Sequence, residues 1–181
     1  MSEHIDVVND THLVSRVSVS GPELRGMITL RGTLSSPAVK QAVKNASGAG
    51  MPKTRGIVHK ADISVAWMSP DELLILCPYD QTNQLTATLQ AALSNEHALV
   101  VNVSDARVIF SLTGADIRAV LAKLAPVDFS PDVFVPGQIK RTRLAQTAAA
   151  IWMSGKEEAQ LICFRAVADY VFDLLKNASA S

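Results

Sequence analysis

The phrase WMSPDELLILC, residues 67–77, returns as WMSGKEEAQLIC at residues 152–163, and the two copies hold every tryptophan and every cysteine of the chain. A repeated phrase of rare residues implies a repeated structural element, because the same apolar positions must meet a core twice. The recurrence extends beyond the phrase. Gly32 and Gly114 stand 82 residues apart, Trp67 and Trp152 85, and Cys77 and Cys163 86. Chance recurrence in a chain rich in Ala, Val and Leu is the competing reading, and the Met-Ser after both tryptophans weighs against it. The pattern predicts two related units in series. Both tryptophans read as large apolar anchors whose indole N–H finds a partner at the core's edge.

The elements around the phrase recur in one order. LRGMITLRG (24–32) reads as a strand. SSPAVKQAVKNAS follows with Ser35 or Ser36 as N-cap, Pro37 in the first turn, and Val39, Ala42, Val43 and Ala46 on one helical face. GAGMPKTRG (48–56) is a loop. ADISVAWMS and ELLILCP read as two strands joined at Ser69-Pro70-Asp71. Leu85, Leu89 and Leu93 mark a second helix, and ALVVNVS a closing strand. The second unit opens with ARVIFSLTG (106–114) and continues with a helix carrying Ile117, Val120, Leu121 and Leu124. QIKRTRLAQTAAAIWMS and AQLICFR then form a strand pair across Gly155-Lys156. A last helix turns Val167, Val171, Leu174 and Leu175 inward.

The expected fold class is therefore α+β: two ferredoxin-like βαββα units with antiparallel sheets and helices packed on one face. Residues 1–21 form a polar N-terminal arm, 22–104 the first unit and 105–178 the second, packed together as one compact body. At 181 residues and 48% hydrophobic content the chain can bury a substantial core. Seventeen Lys and Arg balance seventeen Asp and Glu, which argues against nucleic acid or a membrane surface as partner. No apolar run approaches a membrane span and the first residues lack a signal core, so a cytoplasmic location is expected. Two distant cysteines without a CxxC suit a reducing compartment, and both read as buried thiols.

Chemistry-bearing motifs are few. GAGMPKT (48–54) resembles a phosphate loop, but Pro52 stands where the loop needs a glycine N–H before the lysine. Lys40, Lys44, Lys53, Arg55 and Lys60, with His59, form a basic stretch free of acids, either a solvated face or a contact for an anionic group. In GQIKRTRLAQ, strand alternation puts Arg141 and Arg143 on one face. Two guanidiniums there could grip carboxylates of a ligand or neighbouring subunit, and pairing with Asp105 or Asp128 is equally open. His4, His12, His59 and His97 show no metal-ligand spacing, so no metal is expected. No nucleophile stands with a base, so no catalytic residue is expected.

Residues 98–153 resemble the folate-binding domain of the aminomethyltransferase (T-protein) family. Asn102-Val103-Ser104, the Leu112–Asp116 stretch LTGAD, Asp128 and Pro136-Gly137 carry the likeness. Where that family continues with a Gly-rich turn and an Asp pair, this chain reads Thr147-Ala148-Ala149-Ala150-Ile151-Trp152-Met153. Apolar side chains cannot relay a proton, so aminomethyl chemistry on this chain is not expected. WMSPDELLILCP, VSDAR, the RTRLAQ stretch and CFRAVADYVFDLL together resemble the γ subunit family of heterotetrameric sarcosine oxidase over roughly residues 24–176. That resemblance implies a non-catalytic partner of the α subunit, with β and δ subunits, in a complex that oxidatively demethylates sarcosine to glycine. It implies FAD, FMN, NAD and tetrahydrofolate on the other chains and none on this one. It leaves a stand-alone folate-binding protein of one-carbon metabolism, with Arg141 or Arg143 on a glutamate tail, as the alternative.

Overall fold

The structure, a computed structural model, describes residues 17–180. His4, His12 and residues 1–16 of the expected arm lie outside the described residues.

The first unit comprises β2 (Gly26–Arg31), α1 (Pro37–Ser47), β3 (Ile57–Lys60), β4 (Ile63–Ser69), β5 (Glu72–Cys77), α2 (Thr82–Ala92) and β6 (Leu99–Asn102). The second comprises β7 (Arg107–Thr113), α3 (Ile117–Leu124), β8 (Ile139–Leu144), β9 (Thr147–Gly155), β10 (Glu158–Phe164) and α4 (Ala168–Ala180). A further strand, β1 (Ser18–Glu23), precedes both. The sheets run β3-β4-β5-β2-β6 and β8-β9-β10-β7-β1, and every neighbouring pair is antiparallel.

Local chemistry sets the helix ends. Ser36 Oγ accepts from the Ala38 N–H at 3.2 Å, and Pro37 occupies the first turn, where its missing N–H costs nothing. Gly48 closes α1 at φ +65°, donating its N–H to Lys44 O. The buried face of α1, Val39, Ala42 and Val43, is the one the spacing predicts.

The α+β class, the antiparallel sheets and the helices on one face of each sheet match the sequence reading. Each unit nevertheless holds one more strand between its helices than expected. The turns responsible, at Ala61-Asp62 and Ala145-Gln146, carry no Gly, Pro or Asn, although Ala61 and Ala145 take positive φ of 48° and 49°. The added strand reverses the chain, so β2 and β5 run antiparallel where a split βαβ would align them. The expected arm boundary at residue 21 also falls inside β1. That strand pairs with β7, so Ser18–Glu23 completes the sheet of the second unit, in the position β6 takes in the first. Pro22 lacks a ladder donor, which an edge strand tolerates.

The layers are helix, sheet, sheet, helix. Val39, Val43 and Leu89 pack on Leu30, Leu73 and Ile75 of the first sheet. Ile117, Leu121 and Leu175 pack on Phe110, Ile151 and Leu161 of the second. Between the sheets, Met27, Leu74 and Leu76 meet Ile109, Trp152 and Ile162. Central strands are thus buried on both faces, which is why β5 reads as a continuous apolar run instead of an alternating one. Each fully buried leucine or isoleucine contributes about 1.5–3 kcal/mol, so the inter-sheet layer alone holds the two units firmly together. Backbone bonds add to it: Ile57 N–H donates to Gly137 O at 2.9 Å, and Ile139 N–H to Arg55 O at 2.9 Å.

The two tryptophans do not play the same part. Cys77 stands ten positions after Trp67, and Cys163 eleven positions after Trp152. Both cysteines face their helices. Trp67, opposite Leu73, falls on that helix-side register and is half-buried, whereas Trp152 faces the other sheet. A one-residue shift inverts a strand's faces. Trp152 is 1% exposed and its Nε1 has no partner among the described residues, so the expected edge position does not hold for it.

Candidate functional site

β8 places Arg141 and Arg143 on the inward sheet face, since Ile139 on the same register enters the inter-sheet core. Their guanidiniums then part. Arg141 Nη1 donates to Met68 O on β4, crossing from one sheet to the other. Arg143 Nη2 turns back to Gln146 Oε1 at 2.7 Å and steadies the tight turn at Ala145. Neither meets Asp105 or Asp128. Asp105 Oδ1 accepts from Tyr79 OH at 3.3 Å. Asp128 accepts the Ser130 N–H at 2.8 Å, and bonds from that backbone and hydroxyl hold its carboxyl below the usual range.

Two residues not singled out in the sequence join Arg141. Arg107 opens β7 and Glu72 opens β5, so both stand where the sheets meet. Glu72, 8% exposed at its side chain, accepts from Arg31 Nη2 at 3.0 Å and faces Arg107 Nη2 at 3.7 Å. Burial pushes the Arg107 pKa down, Glu72 opposes that shift, and the nearby charge of Arg141 adds to it. Arg107 Nη1 is buried with no hydrogen-bond partner among the described residues. The signal available in the sequence was a charge directly before an apolar run at the start of a strand, present in both sheets.

Arg107 and Arg141 frame a pocket of about 80 Å³ whose walls include Leu74, Ala149, Ala150 and Ile162. Arg141 also borders a neighbouring groove of about 380 Å³, with Arg55, Trp67, Pro70 and Lys140. The pocket's lining has no carboxylate, histidine or hydroxyl. The thiols of Cys77 and Cys163 are free and buried, and desolvation raises both, Cys163 to about 11. A thiol so protonated is a poor nucleophile. Among the described residues no group of three or more His, Cys, Asp or Glu could hold a metal. No helix is long and apolar enough to cross a membrane. Lys40, Lys44, Lys53, Arg55, His59 and Lys60 lie exposed along α1, the following loop and β3, with His59 Nδ1 2.8 Å from Ser64 Oγ.

The motifs that carried the resemblance come together as structure. Ser104 Oγ accepts the Met27 N–H at 2.9 Å and donates to Asn102 Oδ1 at 2.6 Å, fixing the crossover from β6 to β7. Arg165 then clamps that crossover, donating Nε to Asp105 O at 2.7 Å and Nη2 to Ser104 O at 3.4 Å.

Fold and site together define a doubled α+β body whose polar centre braces one sheet against the other beside a pocket lined without carboxylate, histidine or hydroxyl. Comparison with known proteins gives the family and the fold. Residues 31–181 match the sarcosine oxidase, gamma subunit family. The sarcosine oxidase subunit gamma of Corynebacterium sp. (strain P-1) is 32% identical over 118 residues, 64% of this chain and 57% of that protein's length. A heterotetrameric sarcosine oxidase chain from Corynebacterium sp. U-96 shares the fold at TM-score 0.80 and 24% identity, covering 91% of this chain and 86% of that one. Glycine cleavage system aminomethyltransferase T from Bartonella henselae shares it at TM-score 0.66 and 13% identity, covering 89% of this chain and 45% of that one. The chain belongs to the sarcosine oxidase gamma subunit family.

Proposed function

We propose that this chain is a non-catalytic structural subunit of a heterotetrameric sarcosine oxidase in the cytoplasm. It docks on the large α subunit, with β and δ completing a complex that demethylates sarcosine to glycine and passes the one-carbon unit to tetrahydrofolate. FAD, FMN, NAD and tetrahydrofolate are carried by the other chains. The observation that carries this reading is the family match over residues 31–181. The apolar lining of Ala148, Ala149 and Ala150 supports it, because nothing there can move a proton. A docking surface is available at β6, the outer strand of its sheet, which exposes Leu99 and Val101 while Gln90 Nε2 donates to Val100 O at 2.9 Å.

Co-expression with a sarcosine oxidase α subunit and pull-down on a tag tests the proposal. A stoichiometric complex that survives gel filtration is expected, with sarcosine turnover absent from this chain alone. A well-behaved monomer that ignores the α subunit, or one that demethylates sarcosine unaided, overturns it.

A further inference from the structure

We propose that the pocket framed by Arg107 and Arg141 is a carboxylate-binding site. The inference stands apart from the subunit assignment, since it rests on this chain's charge balance alone.

Three guanidiniums, those of Arg31, Arg107 and Arg141, converge on this junction, and Glu72 is the one carboxylate paired there among the described residues. Arg31 holds the closer contact, at 3.0 Å, against 3.7 Å for Arg107. Asp71 is turned to Ser69 in the exposed turn and offers its charge to Arg31. Arg107 therefore has only a share of one carboxylate, and Arg141 has no ion pair among the described residues. Arg107 is also largely withdrawn from water and its Nη1 lacks an acceptor among the described residues. A charged donor in that state gains most from an anion placed against it. Arg141 is anchored by Nη1 on Met68 O, which leaves the rest of its fork for a ligand.

The lining selects among anions. A planar carboxylate matches a guanidinium fork in two parallel bonds. Phosphate demands more donors, and the lining supplies no hydroxyl, lysine or glycine-rich turn. Leu74, Ala148, Ala150, Ile162 and Phe164 offer apolar surface to a short hydrocarbon body behind the carboxylate. The site thus takes a small monocarboxylate or the acidic side chain of a docked subunit, which present the same group.

Thermal unfolding of the full chain with propionate or benzoate, at ionic strength held constant with chloride, tests the site. A saturable rise in Tm at millimolar probe is expected, and no comparable rise with phosphate. Arg107→Gln and Arg141→Gln should each raise the apparent Kd about tenfold or more, the loss of one charge-assisted pair. Ala148→Leu fills the pocket from its exposed rim without touching charge and should also abolish the response, while Arg143→Gln should not. Repeating the titration in the assembled complex separates the sources: retained binding identifies a free carboxylate, and lost binding identifies a carboxylate of the partner. No saturable response to either probe, or an equal one in Ala148→Leu, overturns the proposal.

Discussion

Glu72→Gln tests how far the two sheets depend on one carboxylate. The substitution keeps shape and removes charge. Two ion pairs go, and the structure weighs them differently. The Arg31 side chain is 54% exposed, so solvent screens that pair to about 0–1 kcal/mol. The Arg107 side chain is only 18% exposed. Stripping a buried cation of its partner costs about 3–5 kcal/mol, an upper bound here because 3.7 Å exceeds hydrogen-bond length. A total near 2–3 kcal/mol is expected, or a Tm lower by about 5–10 °C for a chain of this size. Urea unfolding followed by tryptophan fluorescence reads it directly, because Trp152 sits between the sheets. In an Arg107→Met background the same substitution should cost about 1 kcal/mol or less, the Arg31 share. Equal losses in both backgrounds would refute the reasoning, since Glu72 would then act without Arg107.

Gly26→Ala should destabilise by about 1–3 kcal/mol through overpacking, because the new Cβ would lie 2.1 Å from Thr82 Oγ1 and 2.8 Å from Cys77 Sγ; urea midpoints measure it. Cys163 has its folded pKa raised to about 11 by burial, above the ordinary value of 9.0. Its contribution to stability is intact below pH 9 and falls as pH climbs toward 11, because the unfolded thiol ionises first. Disulfide-exchange reagents at pH 8 should accordingly leave both thiols unreacted until urea unfolds the chain, and fast labelling of the native protein would contradict their burial.

The helices and central strands were legible because their signals are local. The cap of α1 and Pro37 mark its start and Gly48 its end, and the run from Leu73 to Cys77 is too short for a buried helix and suits a strand shielded on both sides. β3 and β8 were not legible as separate strands, because the alanine turns beside them carry no breaker residue. Arg141 could be placed on a face by alternation, yet its partner, Met68 O, is 73 residues away in the chain.

What the sequence determined by itself is the doubled arrangement of helices and central strands and their apolar faces, since hydrophobic periodicity and capping act within a few residues. Only the tertiary structure decided which sheet receives β1, which way each tryptophan points, and that Glu72, Arg107 and Arg141 share one junction. Those outcomes depend on strand register and on the facing of two sheets. Register shifts invert a side chain's surroundings without altering the local pattern that announces the strand.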